Sequence, residues 1–423
     1  MSKTNRNHLL GLCLLSLAAT TCFAQDNAFD DSAFGDFAGS LSAEFAEFEA
    51  AQTQEWDSFV SEIRAEHDAF IADLERYWGN ETESSDRSKW VEYAKNRRIK
   101  RTVDFEKNQI RISVLGTPAP EEMQRIVNQQ LQAALETRSN QANQEYPIVA
   151  RMQEAASAPK RPPVPVVAEL KELSGQKTAP KAAVALAKKA KIDVVEIKQA
   201  PAKKKATAPS KPKRTVTAPA PAPAPAPAPK ETKATVAVID LSESWPVRRA
   251  RKYSDAVTRF AAEMDIPRSL AFAIMYTESS FNPVAVSPIP AYGLMQVVPG
   301  SAGRDVTKLH FGKERLLSPD YLFTADKNIE VGIGYLNILD KRYLRKITDP
   351  LSRKYCTIAA YNTGAGNVAK AFTGKLNISR ASKIINEMSP DEVYNTLRTK
   401  LPYEETRKYI KKVTAAEKQF MSL

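Results

Sequence analysis

Cysteine and histidine are both scarce in this chain, which holds 3 of each among its 423 residues. Cys13 and Cys22 lie close to the N-terminus, so the rest of the chain carries Cys356 alone and we expect no disulfide framework. So few histidines argue against a histidine-based metal site and against a catalytic triad that depends on histidine. We therefore expect neither a metal nor a cofactor.

The chain also lacks an apolar run long enough to cross a membrane. Residues 9–19 are apolar, but they fall well short of the ~20 residues that a spanning helix needs. They follow Lys3 and Arg6 and lead to small residues that end at Ala24. This pattern predicts an export signal over residues 1–24, and the mature protein is then expected in the periplasm.

Export narrows the set of partners. It removes DNA and RNA, so we expect no nucleic acid. It also allows attachment to the outer membrane as a lipoprotein, but only if Cys22 is lipidated. Ala19 and Thr21 match poorly the residues that usually precede a lipid-acceptor cysteine.

Formal charge is distributed unevenly along the chain. Residues 25–76 sum to −12 and residues 151–235 sum to +12, within a total of +12. A basic middle and a basic C-terminal part favour an anionic target. For an exported protein, the peptide carboxylates of a bacterial wall fit that description.

Apolar residues recur at helical spacing over residues 40–78, with acidic residues on the opposite face. This pattern predicts one long amphipathic helix inside an acidic segment, residues 25–85. The apolar face either packs on the next domain or on a second copy of the chain, or it binds a protein partner. Packing is the simpler interpretation.

Residues 86–157 change to the period of strands and then return to that of a helix. Two strands are expected, over 102–105 and 109–114, joined by a hairpin turn at 106–108. A helix is expected over 119–138. Together these elements predict a small α+β domain.

Residues 158–234 are dominated by Lys, Ala and Pro, and residues 218–229 alternate Ala with Pro. This composition predicts an extended linker that buries no core. A short strand over 192–197 is an alternative within it. Residues 235–241 are typical of a further strand. If that strand pairs with the α+β sheet, the linker is an insertion in the α+β domain.

Residues 242–423 are helical in pattern and predict an all-α domain of ordinary size. The second helix of this domain is very apolar, and Asn282-Pro283 is expected to stop it. Helices are expected over residues 246–264, 269–277, 326–344, 352–372, 380–387, 391–399 and 403–420.

Glu278 stands at the end of that apolar helix. Burial against Ile274, Phe281 and Met295 would disfavour the ionised carboxylate and so raise its pKa. A carboxyl that keeps its proton near neutral pH can act as a general acid at a glycosidic oxygen. The pattern therefore indicates an acid for glycan cleavage.

Polar and aromatic groups suited to a glycan cleft follow the acid. Ser279, Ser280 and Ser287 offer hydroxyls that could orient the acid or a sugar. Tyr361 and Asn362 stand where a helix gives way to a Gly-rich turn. Amides and tyrosines of this kind can hold sugar rings.

Three motifs occur in order within the all-α domain. They are Glu278-Ser279-Ser280-Phe281-Asn282-Pro283, Gly293-Leu294-Met295-Gln296 and Ala360-Tyr361-Asn362-Thr363-Gly364. Together they resemble the soluble lytic transglycosylase superfamily. Trp90-Val91-Glu92-Tyr93 and the strands of the α+β domain are similar to a membrane-bound member of it. The resemblance implies a mostly α fold, with a lysozyme-like all-α C-terminal domain preceded by a small α+β domain and a long N-terminal amphipathic helix.

The resemblance also implies that the substrate is the glycan strand of peptidoglycan. Glu278 would protonate the bond between N-acetylmuramic acid and N-acetylglucosamine, and would then take the proton of the muramyl C6 hydroxyl. The product would be a 1,6-anhydromuramyl end, with one residue as both acid and base. The same resemblance places Ser287 and Tyr361 near the acid, Met295, Gln296 and Asn362 along the sugar cleft, and Tyr409 at the family's late tyrosine.

Two other interpretations stay open. A hydrolytic muramidase with the same fold would use water and a second acid, for which Asp305 and Glu314 are candidates. A non-catalytic wall-binding scaffold would bind partners through the acidic helix. The apolar surroundings of Glu278 argue against the scaffold.

Overall fold

A computed structural model describes residues 31–94, 96–156, 163–198, 232–242 and 245–422. The expected export signal, residues 1–24, and the Ala-Pro tract, residues 218–229, lie outside these ranges. The chain divides into two units, Met1–Ser58 and Phe59–Leu423. In the first unit, residues 31–58 are helical. Within the described ranges, no helix combines the length and the apolar character needed to span a membrane.

The first helix, α1 (Asp31–Trp78), confirms the long helix expected over residues 40–78 and begins earlier than expected. Ile63, Leu74 and Trp78 in its C-terminal half are fully buried. Trp78 packs with residues of the α+β sheet. This half of the helix therefore belongs to the core of the domain that follows.

The α+β region contains a five-stranded sheet in which every neighbouring pair of strands is antiparallel. The strands are β1 (Lys89–Ala94), β2 (Ile99–Asp104), β3 (Gln109–Leu115), β4 (Lys191–Glu196) and β5 (Lys233–Asp240), in the order β1-β2-β3-β5-β4. Asp104 pairs with Gln109, which confirms the hairpin. β5 pairs with β3, as the pattern of residues 235–241 suggested. The sequence did not predict β1, because its buried and exposed residues do not alternate.

Two helices follow the hairpin: α2 (Pro120–Glu136) and α3 (Pro147–Ala155). The first confirms the helix expected over residues 119–138. Its buried face, which includes Ile126 and Leu131, packs on β3. This packing gives the sheet one covered face.

The prediction of an extended linker over residues 158–234 is wrong for residues 163–198. Those residues form α4 (Glu169–Leu173), α5 (Ala179–Ala187) and β4. Ala182, Ala183 and Leu186 are buried where α5 packs against α2. Alanines at helical spacing can build a close helix contact, although their abundance resembles low complexity.

The C-terminal part is all-α, and with it the mostly α fold class is confirmed. Its helices are α6 (Trp245–Lys252), α7 (Ser254–Glu263), α8 (Arg268–Ser279), α9 (Arg304–Leu309), α10 (Pro319–Leu322), α11 (Ala325–Ile338), α12 (Pro350–Thr363), α13 (Ala365–Thr373), α14 (Ile378–Ile385), α15 (Pro390–Lys400) and α16 (Glu404–Gln419). Two expected helices are each split in two, at Tyr253 and at Gly364. Gly364 has a φ of 83°, which no helix accommodates. The short α9 and α10 were not expected.

Candidate active site

The end of α8 places the candidate acid. Glu278 lies in the last turn, and Ser280 ends the helix in the left-handed conformation, with a φ of 50° and its N–H donated to the carbonyl of Tyr276 at 2.9 Å. Phe281 also has a positive φ. The helix therefore ends before Asn282-Pro283, and the expectation that this pair stops it is wrong. The reversal happens two residues earlier, at Ser280, through left-handed backbone conformation.

The Ser279 hydroxyl joins α8 to the loop that carries the second motif. It contacts the carbonyl oxygens of Met275 and Leu294, at 3.0 and 2.8 Å. Ser279 is 1% exposed. Its hydroxyl is thus held by backbone, and Ser279 is among the residues that line the cavity beside Glu278.

Glu278 is buried, with 5% of its surface exposed, and Tyr409 donates its hydroxyl to Oε1 at 2.7 Å. Burial raises the pKa of Glu278 to about 7. The positive charge of Arg87 and the hydrogen bond from Tyr409 lower this pKa, and the negative charge of Glu405 raises it. The raised pKa confirms the expectation from the sequence: near neutral pH this carboxyl can both give and accept a proton.

Tyr361 and Met295 connect the second and third motifs. The hydroxyl of Tyr361, on α12, donates to the carbonyl of Met295 at 2.7 Å. The N–H of Met295 donates to Oδ1 of Asn328 at 2.7 Å, on α11. Burial, and then the charge of Glu278, raise the pKa of Tyr361 well above its usual range. Two helices therefore fix the backbone at Met295.

The side chains of Met295 and Gln296 are mostly enclosed by protein. Met295 is fully buried and lies against Gly332, where a Cβ would stand 2.4 Å from its Sδ. Gln296 is 7% exposed, and its Nε2 donates to the carbonyl of Gly293 at 3.1 Å. Neither residue lines the cavity beside Glu278.

Ser287 lines the cavity beside the acid, and Asn362 does not. Oδ1 of Asn362 accepts a hydrogen bond from the hydroxyl of Thr406 at 2.7 Å, which joins α12 to α16. Ser287 lines the cavity with Glu278. The structure thus brings Tyr409 and Tyr361 to the acid and places Ser287 on the wall of the cavity.

A cavity of about 630 Å³ opens beside Glu278. Its walls come from two parts of the chain. The all-α part supplies Ser280, Ser287 and Lys412, and the α+β part supplies Arg87 and Glu106. The space therefore lies between the two, and it combines a carboxyl of raised pKa with hydroxyls and cations.

The positions of other acids decide which could serve as the second acid of a hydrolytic muramidase, and whether a metal site is present. Asp305 accepts a hydrogen bond from Tyr343 at 3.2 Å, Glu314 pairs with Arg304 at 3.6 Å, and neither acid lines the cavity. Asp86 and Glu106 do line it. The described residues hold no group of three or more His, Cys, Asp or Glu that could bind a metal ion.

Residues 256–383 match the family model of the transglycosylase SLT domain. They form an SLT domain. Membrane-bound lytic murein transglycosylase C of Pectobacterium atrosepticum is 49% identical over 173 residues, which make up 41% of this chain and 48% of that protein. The protein of the same name from Photorhabdus laumondii is 47% identical over 173 residues, with the same shares. The chain thus spans about half the length of these relatives.

Two solved structures are similar in sequence to part of this chain. The 70 kDa soluble lytic transglycosylase from Escherichia coli is 28% identical over a match that covers 40% of this chain and 24% of that chain, with a TM-score of 0.32. The lytic transglycosylase Slt from Pseudomonas aeruginosa is 26% identical over the same shares, with a TM-score of 0.32.

The α+β region holds the active-site loop of the SLT domain through hydrogen bonds. Asn143 Nδ2 donates to the carbonyl of Val284 at 2.8 Å. The Tyr292 hydroxyl donates to the carbonyl of Ile148 at 2.6 Å. Asn282 Nδ2 donates to the carbonyl of Arg87 at 3.3 Å. The loop therefore takes its shape partly from residues outside the SLT match.

Sequence reasoning missed Arg87, Glu405 and Lys412. A guanidinium nitrogen of Arg87 lies 2.5 Å from Oε1 of Glu405. Arg87 precedes the Trp90 segment that carries the resemblance, but no motif marks it as chemical. The one available signal was the spacing of Glu405 and Tyr409, four residues apart on one helix face.

Proposed function

We propose that this protein is a peptidoglycan lytic transglycosylase. It cleaves the β-1,4 bond from N-acetylmuramic acid to N-acetylglucosamine and leaves 1,6-anhydro ends. The observation that carries the proposal is Glu278, a buried carboxyl with a pKa of about 7 that faces the cavity between the α+β and all-α parts. The relatives with 47–49% identity are named lytic murein transglycosylases, which supports the same activity.

In this reaction Glu278 serves first as acid. Its proton moves to the glycosidic oxygen, the bond from that oxygen to muramyl C1 breaks, and N-acetylglucosamine leaves with a C4 hydroxyl. The carboxylate left behind accepts the hydrogen bond from Tyr409, which stabilises its charge. A pKa of about 7 suits this transfer, because neither protonation state of the carboxyl is strongly disfavoured near neutral pH.

Glu278 serves next as base. Its carboxylate takes the proton of the muramyl C6 hydroxyl while that oxygen bonds to C1. The 1,6-anhydro ring closes, Glu278 regains its proton, and no water is consumed. A single carboxyl therefore completes the cycle, whereas ordinary glycosidases use two.

Five other residues complete the proposed site. Ser287 contacts the substrate from the cavity wall. Gln296 and Asn362 act on the sugar cleft by supporting it, since Nε2 of Gln296 bonds the carbonyl of Gly293 and Oδ1 of Asn362 joins α12 to α16. Tyr361 and Met295 hold the loop through the hydrogen bond from the Tyr361 hydroxyl to the Met295 carbonyl. The side chain of Met295 supports the cleft from below its surface, since it is fully buried.

We further propose that the protein is exported and acts in the periplasm, with attachment to the outer membrane only through a lipid on Cys22. The relatives carry "membrane-bound" in their names. Growth with an alkyne-tagged fatty acid tests the attachment, with Cys22→Ser as the control. Labelled wild-type protein and unlabelled variant are the expected result, and unlabelled wild type would exclude the lipid. A protein partner for the acidic helix stays a prediction, which crosslinking of intact cells can test.

The deciding experiment is a digest of purified peptidoglycan, with the products weighed by mass spectrometry. The mature chain should release muropeptides that are one water lighter than hydrolysis products. Glu278→Gln should remain folded by circular dichroism and release none. A folded Glu278→Gln variant with full activity would exclude Glu278 as the acid.

Hydrolysis is the second candidate, because Asp86 and Glu106 line the cavity beside Glu278 and either could activate water. Hydrated reducing ends in the same digest would establish it. Asp86→Asn and Glu106→Gln would then identify the second acid. Binding to peptidoglycan with no release of products would favour the scaffold.

A further inference from the structure

We propose that Arg87 is a positioning residue for Glu278, and that Glu405 sets how strongly the Arg87 charge acts on the catalytic carboxyl. Arg87 belongs to the α+β region, so that region completes the active site of the SLT domain. The proposal rests on the proposed function, since it concerns the acid of that reaction.

The position of Arg87 is fixed from two directions. Its carbonyl accepts a hydrogen bond from Asn282, four residues after the acid in the chain. Its guanidinium pairs with Glu405 at 2.5 Å. Arg87 and Glu278 line the same cavity. The guanidinium is therefore held beside the carboxyl without a direct ion pair between them.

A single helix connects the two ends of this arrangement. Glu405 and Tyr409 stand four residues apart on α16 and share a face of that helix. Tyr409 bonds Glu278, and Glu405 bonds Arg87. Any movement of α16 would thus act on the carboxyl through both contacts at once.

The two charges act on Glu278 with opposite signs. The positive charge of Arg87 favours the carboxylate and lowers the pKa of Glu278, whereas the negative charge of Glu405 raises it. Glu278 in turn raises the pKa of Arg87. Because the side chains of Arg87 and Glu405 are 40% and 62% exposed, substrate or solvent can reach the pair.

Other charged and titratable groups either line the cavity or act on Glu278 directly, and these groups stay unchanged in the test. α16 contributes Tyr409 and Lys412, and α12 contributes Tyr361. The α+β region contributes Asp86 and Glu106. α8 itself contributes Tyr276 beside Glu278.

The test is the pH dependence of kcat/KM on purified peptidoglycan with the full mature chain. Activity requires protonated Glu278, so it falls on the alkaline side as the free enzyme's carboxyl loses its proton. Arg87→Ala should move this alkaline limb to higher pH by about half a unit or more. Glu405→Gln should move it to lower pH, and Arg87→Lys should restore a position near that of wild type.

Matched controls remove the same charges elsewhere. Arg345 and Glu387 are exposed and do not line the cavity. Arg345→Ala and Glu387→Gln should leave the alkaline limb where it is. If Arg87→Ala and Glu405→Gln shift the limb in the same direction, or lower kcat with no shift, Arg87 has only a structural role and the proposal is wrong.

A titration separates this proposal from the proposed function. The Glu278 carboxyl carbon, labelled with 13C and assigned by its loss in Glu278→Gln, reports its pKa by NMR without any substrate. Opposite shifts in the Arg87→Ala and Glu405→Gln variants would support the proposal even if the digest gave no anhydro products. Unchanged titration in both variants would overturn it even if the enzyme were active.

Discussion

Glu278 reduces stability in return for its reactivity. Its pKa is about 7 in the folded protein, against a usual value of 4.5. Below pH 4.5 the carboxyl is protonated in both folded and unfolded chains, so it costs nothing there. As pH rises towards 7 the unfolded chain ionises first, and the folded state loses stability.

Glu278→Gln should therefore stabilise the protein at high pH. The neutral amide avoids the free-energy cost of ionising a buried carboxyl. That cost is at most about 3 kcal/mol above pH 7, as calculated from the difference between the usual pKa of 4.5 and the folded-state pKa of about 7. Urea unfolding at pH 4 and pH 8 measures it. The variant should gain stability at pH 8 and little at pH 4. Glu263→Gln, at an exposed residue, should gain none, and an equal gain at both pH values would contradict the argument.

Tyr409→Phe tests the hydrogen bond to the acid. Without the hydroxyl, the carboxylate is less stable and the pKa of Glu278 rises, so the carboxyl becomes a weaker acid. We expect kcat to fall by about tenfold or more, with an intact fold because the ring is kept. Tyr403→Phe, at a residue 58% exposed, is the control. A Tyr409→Phe enzyme as active as wild type would remove Tyr409 from the mechanism.

Chemistry at single residues was predictable only where the chain itself brings groups together. Glu278 lies at the end of an apolar helix, so its burial and raised pKa could be foreseen. Arg87 and Glu405 are far from Glu278 in the chain and meet it only through tertiary packing. The residues next to them in the sequence do not predict this contact, because charged residues on helix and loop surfaces are common.

Among the elements, the loop after α8 depends most on a neighbour. Asn143 is 1% exposed and donates to the carbonyl of Val284, while its Oδ1 accepts from the Ser85 hydroxyl at 2.6 Å. This one amide therefore joins the α+β region to the active-site loop, and loss of it leaves buried polar groups without partners.

Asn143→Ala should lower the free energy of unfolding by about 1–3 kcal/mol. It should also lower kcat/KM, because the loop that positions Ser287 loses a support. Gln144→Ala, at the exposed neighbouring residue, should change neither quantity. Thermal unfolding and the peptidoglycan digest measure both. Lost stability with unchanged activity would show that the loop keeps its shape without Asn143.

The helices and strands that could be predicted are those with a clear hydrophobic periodicity. The hairpin and α2 have strong strand and helix periods, and both were predicted. The helix α5 was not, because Lys and Ala hid a packing face inside a composition typical of linkers. The split of the helix expected over 352–372 rests on the backbone angle of Gly364, which periodicity does not report.

At the scale of the whole molecule, charge is the dominant property. The total is +12, and residues 151–235 alone sum to +12. We expect binding to peptidoglycan to weaken as NaCl rises from 50 to 500 mM, because salt screens attraction between exposed charges. Co-sedimentation with purified sacculi measures the bound fraction. Binding that does not respond to salt would show that specific sugar contacts dominate instead.

The pairing of β4 with β5 decides what the long segment between them can do. Glu196 lies opposite Lys233, and the N–H of Ile197 donates to the carbonyl of Thr232 at 2.8 Å, so the chain leaves the sheet and returns to it at neighbouring points. Both ends of the segment therefore belong to the same sheet, so its length does not set the distance between the α+β and all-α parts. Lengthening, shortening or even cutting it should leave the catalytic cavity as it is, since the strand ladder keeps the two ends together. The length of this segment can therefore change during evolution without a change in the catalytic cavity.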